Sequence, residues 1–217
     1  MTVTKREIKT AKNKQAILQA LLSKLDSQEF DEIKISELCS SASISQASFY
    51  NYFPHKADIL VYYIQLWLVE VYWLNSVENK KIGLKAIEGL FDNVAEIYTK
   101  RPRLMKEIIS LQIKSNRILG GSSLSDADKL VAFPDWDNVE CINIENLASL
   151  MSLGVQQAIE KNELPVNSDL TTLITALSAI FYTVPIIFSH ASEYDIKDAF
   201  RNQMNLFIYG AAHSLTK

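Results

Sequence analysis

The sequence predicts an all-α protein of about nine helices, with a three-helix head followed by a longer helical body. Three observations lead there. Only 6 Gly and 5 Pro interrupt 217 residues, 48% of them hydrophobic, so long unbroken segments with enough apolar surface for a sizeable core are expected. Apolar residues recur three and four positions apart over most of the chain, the spacing of one helix face. Between residues 35 and 53 that pattern is broken once, by Ser41-Ala42-Ser43-Ile44-Ser45, which leaves two short pieces on either side of a turn.

The first helix is expected over about 8–26, where Ile17, Leu18, Leu21, Leu22 and Leu25 form one stripe, with Phe30 anchoring the chain after the turn. Ile35, Leu38 and Cys39 belong to a short second helix. Ser45 is placed to cap a third of about two turns, because Pro54 closes it and disfavours helical geometry at Phe53. The body continues with helices near 56–78, from 82 to just before Arg101-Pro102, and 102–118, Pro102 suiting a first-turn position. The stretch 120–136 combines glycines, serines and a proline without sustained periodicity and is expected to be a loop. Helices near 137–162, 169–191 and 195–215 complete the chain, with Pro185 expected to kink the second of these.

Several function classes have little support. Cys39 and Cys141 lie far apart, without disulfide-framework or metal-ligand spacing. His55, His190 and His213 are the only histidines, and no nucleophile motif or Gly-rich phosphate loop occurs, so no enzyme activity, metal or cofactor is expected. The polar, basic first residues lack the apolar core of a secretory leader. The run Ile59 to Leu74 is interrupted by Gln65 and Glu70 and is too short to span a bilayer, so a cytoplasmic protein without a membrane partner is expected. A net charge of −3 argues against a general polyanion binder, yet Lys5, Arg6, Lys9, Lys12 and Lys14 face only Glu7 within residues 1–14, a local net of +4. Such a segment is either a solvated terminus or an arm reaching a minor groove, with Lys5, Arg6 and Lys9 its candidate contacts.

Two helices around a tight turn pack together in many proteins, and in some the second enters the major groove of DNA. The residue types in this segment suit that use. Gln46, Ala47, Ser48 and Asn51 are small or polar enough to approach base edges, the two amides matching adenine, while Tyr50, Tyr52, His55 and Lys56 suit phosphates. The cluster Phe49-Tyr50-Asn51-Tyr52-Phe53-Pro54-His55-Lys56 is the most specific element.

With these residues the sequence resembles the tetracycline-repressor (TetR) family of transcriptional regulators, and Glu29 to Leu60 lies on the family's pattern without a gap. Ala42-Ser43-Ile44-Ser45 takes the turn, Phe49-Tyr50 the middle of the recognition helix, Tyr52-Phe53 its end and Lys56 the start of the fourth helix. The resemblance implies a head over 1–55, with Phe49 and Phe53 on the core side and Tyr50 and Tyr52 on the DNA side. DNA contacts are then expected from Lys34, Ser36, Ser45, Gln46, Ala47, Ser48, Tyr50, Asn51, Tyr52, His55 and Lys56. The sequence departs from the family pattern at Glu29 and Ser43, where glycine is frequent, at Ala47, where glycine often opens the helix, and at Lys34, where threonine is usual. His55 stands where Ser or Asn is common. A left-handed backbone at Ser43 would cost about 1 kcal/mol.

The resemblance further implies a ligand-binding and dimerising body over 56–217. Tyr63, Trp67, Phe91, Tyr98, Met105, Trp136 and Met151 lie where the family's cavity would be, although aromatics at helical spacing are more often core than pocket. Few charges interrupt these helices, which favours a small apolar or aromatic effector. The stripes Leu173, Leu177, Ile180, Phe181, Val184 and Phe200, Met204, Phe207, Ala211 suit either the chain's own core or a two-fold four-helix interface. The expected whole is a homodimeric, ligand-released repressor that binds a pseudo-palindromic double-stranded operator. A DNA-binding structural factor without an inducer, and a helical protein-interaction module, stand beside it.

Overall fold

The computed structural model describes residues 3–114, 124–188 and 196–213. Among them the chain is all-α, with ten α-helices and no strand. Expected helix ends beyond residues 114, 188 and 213, the loop residues 120–123, His190 and the His213 side chain lie outside the described part.

Packing divides the chain into two compact units, Met1–Glu70 with Lys106–Glu145, and Val71–Met105 with Asn146–Lys217. In the first, α1 (Lys5–Leu25) begins earlier than the apolar stripe alone indicates. Thr4 and Glu7 close a capping box: the Glu7 backbone N–H donates to Thr4 Oγ1 at 3.2 Å and the Thr4 N–H to Glu7 Oε2 at 2.7 Å. The basic segment expected as an arm is therefore helical. The hydrogen bonds to Thr4 also hold the Glu7 carboxyl below its ordinary range. A short 3-10 turn, Phe30–Glu32, leads to α2 (Ile35–Ser41), α3 (Gln46–Tyr52) and α4 (Asp58–Tyr72), which runs on as a π-helical segment, Trp73–Glu78. The core between these helices holds Ile17, Leu18, Leu21, Leu25, Ile33, Leu38, Phe49 and Ile59, all essentially inaccessible.

Two expectations need correction within 120–146. The loop contains a helix, α7 (Asp126–Ala132), which follows α6 (Pro102–Lys114) in the chain and starts at a second capping box, Ser125 with Asp128. Beyond it, 137–146 is not helical apart from a 3-10 turn at Val139–Cys141, because Asn138 takes a left-handed backbone (φ 56°). Helix α8 begins only at Leu147, where Asn146 Oδ1 accepts from the Ser149 N–H. Helix α7 packs on α1 around a buried polar cluster. The Lys14 ammonium bonds Asp128 Oδ2 at 2.7 Å, the Tyr62 hydroxyl donates to Asp128 Oδ1 at 3.2 Å, and Lys14 Nζ lies 4.3 Å above the Tyr62 ring. Burial, reinforced by the Asp128 charge, holds the Tyr62 phenol far above its ordinary range. Lys129 is buried, and its ammonium donates to the carbonyls of Glu140 (2.9 Å) and Ile142 (2.6 Å).

The second unit is built from α5 (Leu84–Lys100), α8 (Leu147–Glu160), α9 (Leu170–Phe188) and α10 (Ile196–His213), with α5 against α8 and α10, and α9 against α8 and α10. Helix α5 starts at Gly83 (φ 63°), a conformation that costs a glycine little. Its first amides are satisfied from elsewhere, the Gly83 N–H donating to Gln157 Oε1 (3.1 Å) and the Leu84 N–H to Glu163 Oε2 (2.8 Å). Phe91 and Phe200 stack with centroids 5.1 Å apart in the core of this unit. Gly89 faces Asn75 of the π-helical segment so closely that a Cβ would not fit.

Candidate nucleic-acid interface

Helix α3 is set by both its ends. Before it, α2 stops in a Schellman arrangement: Ser43 adopts φ 55°, its N–H donates to the Ser40 carbonyl (3.2 Å), and the Ile44 N–H donates to the Cys39 carbonyl (3.0 Å). These bonds offset the left-handed strain at a residue that is not glycine. Ser45 is extended and caps α3, its Oγ accepting from the Ser48 N–H at 3.1 Å and lying 3.0 Å from Ser48 Oγ. Phe53 leaves the helix (φ −134°, ψ 100°) ahead of Pro54.

Phe49 (0% exposed) and Phe53 (3%) fix the rotation of the helix, their rings 6.0 Å apart and Phe53 5.7 Å from Tyr62. The opposite face is open, with Gln46, Ala47 and Asn51 exposed, Tyr50 52% exposed and Ser48 half-buried. At four residues per step, Gln46 with Tyr50 and Ala47 with Asn51 form two adjacent rows on that face. Lys34, Ser36 and His55 are exposed beside it, and Lys5, Arg6, Lys9 and Lys12 are exposed on the first turns of α1. Lys34 stands at the start of α2, which has no side-chain cap.

Two expected DNA contacts sit elsewhere. Lys56 does not offer its ammonium outward: Nζ donates to the carbonyls of Phe30 (2.6 Å), Ile33 (2.8 Å) and Asp31 (3.3 Å), 4.5 Å above the Phe30 ring. Burial lowers its pKa, opposed by the Asp31 and Glu107 charges. It staples the 3-10 turn from outside, adding to the bond the turn makes for itself, from the Ile33 N–H to the Phe30 carbonyl. Tyr52 is half-buried, and its hydroxyl oxygen accepts from Asn13 Nδ2 at 2.9 Å, which ties α3 to α1. Asn13 was not an expected site residue, since only the folded chain brings it to a phenol 39 positions away.

The apolar stripes of the last two helices also change role. Leu173, Leu177, Phe181, Val184, Phe200, Met204 and Ala211 are buried within this single chain, and Ile180 and Phe207 are half-buried. The buried ones are core of the second unit, covered by the packing among α5, α8, α9 and α10. The outer faces carry Thr172, Thr175, Ala179, Thr183, Ile186 and Ile187 on α9, and Leu206, Tyr209 and Gly210 on α10. Ile187, Leu206 and Tyr209 are more than 60% exposed, and among the described residues nothing beyond its own helix backbone and chain neighbours comes within 4 Å of the position a Gly210 side chain would take. Helix α9 is long and apolar enough to cross a membrane by length and composition, but its Leu173, Leu177, Phe181 and Val184 stripe is packed.

The seven expected pocket residues divide between the units. Tyr63, Trp67 and Trp136 belong to the first, where Trp136 stacks on Phe133 at 4.3 Å. Phe91, Tyr98, Met105 and Met151 belong to the second. Met151 lines a small cavity there with Val71, Tyr72, Asn75, Ile87, Leu90, Leu150 and Gly154. Its volume of about 20 Å³ is room for a single water.

The fold and this exposed α3 define a helix-turn-helix protein with a helical body. The fold is that of TetR-family transcriptional regulators. Thermus thermophilus FadR, a TetR-family transcriptional repressor solved in complex with lauroyl-CoA, superposes with a TM-score of 0.66 over 91% of this chain and 94% of its own, at 16% identity. A putative TetR-family regulator from Shewanella sp. PV-4 gives 0.54 over 92% and 98%, at 13% identity. Neither a family model nor a curated protein matches the sequence.

Proposed function

We propose that this protein is a cytoplasmic transcriptional regulator rather than an enzyme, a homodimer that binds a pseudo-palindromic operator and represses until a small apolar or aromatic effector releases it. Residues 1–55 act as the DNA-binding head and 56–217 as the sensing and dimerising body. The observation that carries this reading is α3 itself, a two-turn helix anchored by Phe49 and Phe53 whose opposite face stands open. Gln46, Ala47, Ser48 and Asn51 face the bases. Tyr50, His55, Lys34, Ser36, Ser45 and the α1 cations Lys5, Arg6 and Lys9 meet phosphates, while Lys56 and Tyr52 hold the helix in place.

The second copy docks on the outer faces of α9 and α10. An exposed stripe of Thr, Ala and Ile beside the bare flank of Gly210 supports close approach of a two-fold partner. Pairing fixes the spacing of two recognition helices, and an effector that fits one body conformation better than another shifts that spacing. The lauroyl-CoA held by the Thermus neighbour supports an effector with an apolar chain. The hollow beside Met151, near 20 Å³, would have to widen to accept one, whereas the cleft of about 280 Å³ lined by Phe91, Phe200 and Met204 is larger.

The test is binding of the full chain to sequences selected from random duplex DNA. Tyr50→Ala with Asn51→Ala is expected to lower affinity at least tenfold with an unchanged melting temperature, and unchanged affinity overturns the assignment of α3. Ile187→Asp with Leu206→Asp should turn a dimer into a monomer in sedimentation. A melting temperature raised by acyl-CoA, together with DNA release, separates the sensing reading from the inducer-free one.

A further inference from the structure

We infer that each half of the DNA target is an A·T-rich major-groove element, read by carboxamides and a methyl, with no guanine read by a cation. This rests on the DNA-binding reading above and specifies what that site selects. Helix α3, Gln46–Tyr52, carries no acidic or basic residue. The side chains best suited to guanine are Arg and Lys, and those suited to the cytosine amino group are Asp and Glu. None is present on the open face, and the nearest lysine in sequence, Lys56, is held by three backbone carbonyls.

What the face does offer matches the other base pair. Gln46 and Asn51 carry both a donor and an acceptor, the pattern that pairs with the adenine amino group and ring nitrogen. Ala47 sits one turn from Asn51 in the same row, where its methyl can meet a thymine methyl and its small size lets the helix lie deep. Tyr50 lies beside them, one turn from Gln46. Ser48, the remaining polar residue near the bases, has its hydroxyl within hydrogen-bond distance of the capping Ser45. One good bidentate contact discriminates by about tenfold to a hundredfold.

The experiment is selection of duplexes from a random library by the full-length protein, followed by anisotropy titrations of single-base variants with wild-type, Gln46→Ala and Asn51→Ala protein. The expected result is at least two fixed A·T pairs per half-site, with each alanine variant losing about tenfold or more of its discrimination at one of them. Asn51→Arg should move the preference at its position toward G·C. Fixed G·C pairs whose selection is lost with Gln46→Ala or Asn51→Ala overturn the inference while leaving the regulator reading intact, as do fixed positions indifferent to both variants. A library with no enriched sequence overturns both. Gln46 and Asn51 are exposed, so both variants should melt with the wild type.

Discussion

Helix α3 shows solvent a polar face without one charge, whereas α9 shows threonines, an alanine and two isoleucines. Both are seated by aromatic and aliphatic residues on the inner side, Phe49 and Phe53 for one, Leu173, Leu177 and Phe181 for the other. The inner stripes therefore look alike in sequence, and only the outer ones differ. An uncharged amide-bearing surface suits base edges, where hydrogen bonds rather than net charge discriminate. A weakly apolar surface with small residues suits a second copy, which removes it from water. In the proposed reading, function is written on the faces opposite the conspicuous hydrophobic stripes.

The comparison can be broken first at its anchors. Phe49→Ala should cost about 3–5 kcal/mol in denaturant unfolding and Leu177→Ala about 2–5 kcal/mol. Near-neutral values at either would mean that the inner face is not what seats the helix. Asp128→Ala, which strands the Lys14 ammonium between α1 and α7, should cost about 3 kcal/mol, with Lys14→Met alongside recovering a good part. Removing the cap by Ser45→Ala should cost about 1 kcal/mol and raise amide exchange in the first turn of α3. Tyr50→Ala on the outer face should stay within about 0.5 kcal/mol by melting, separating binding from folding.

The smallest effect concerns pH. Burial raises the Glu107 carboxyl above its ordinary range, with the Asp31 charge adding to it and Lys106 opposing. The folded state then holds its proton to higher pH than the unfolded state, so stability falls as pH rises from the ordinary carboxylate range through that raised value. Glu107→Gln should flatten this stretch of the melting profile, and an unaltered slope would discount the burial at that site.

The head was legible to the level of single caps. The Ser45 cap follows from local rules on consecutive residues, the Phe49 and Phe53 anchors and the left-handed Ser43 from the family resemblance, and all stand in the fold. The Thr4-x-x-Glu7 capping box was equally local but was obscured by the basic residues around it. Helix α7 was obscured in the same way, since seven residues among glycines and serines show too little periodicity, although Ser125 and Asp128 mark its start. Lys14 with Asp128, Asn13 with Tyr52, and Lys56 with the carbonyls near Phe30 were beyond reach, because nothing in the order of residues tells a lysine which distant group will meet it. The last two helices mark the other limit: periodicity locates an apolar stripe but not whether the stripe meets its own chain or another.

Lys56 and Lys129 commit their ammonium protons to main-chain oxygens at 30–33 and 140–142. In a chemical footprint with an amine-acylating reagent, these two positions will stay silent while solvent-facing lysines such as Lys34 label. Reactivity emerging at one of them on gentle warming would time the loosening of that turn, well before the helices melt.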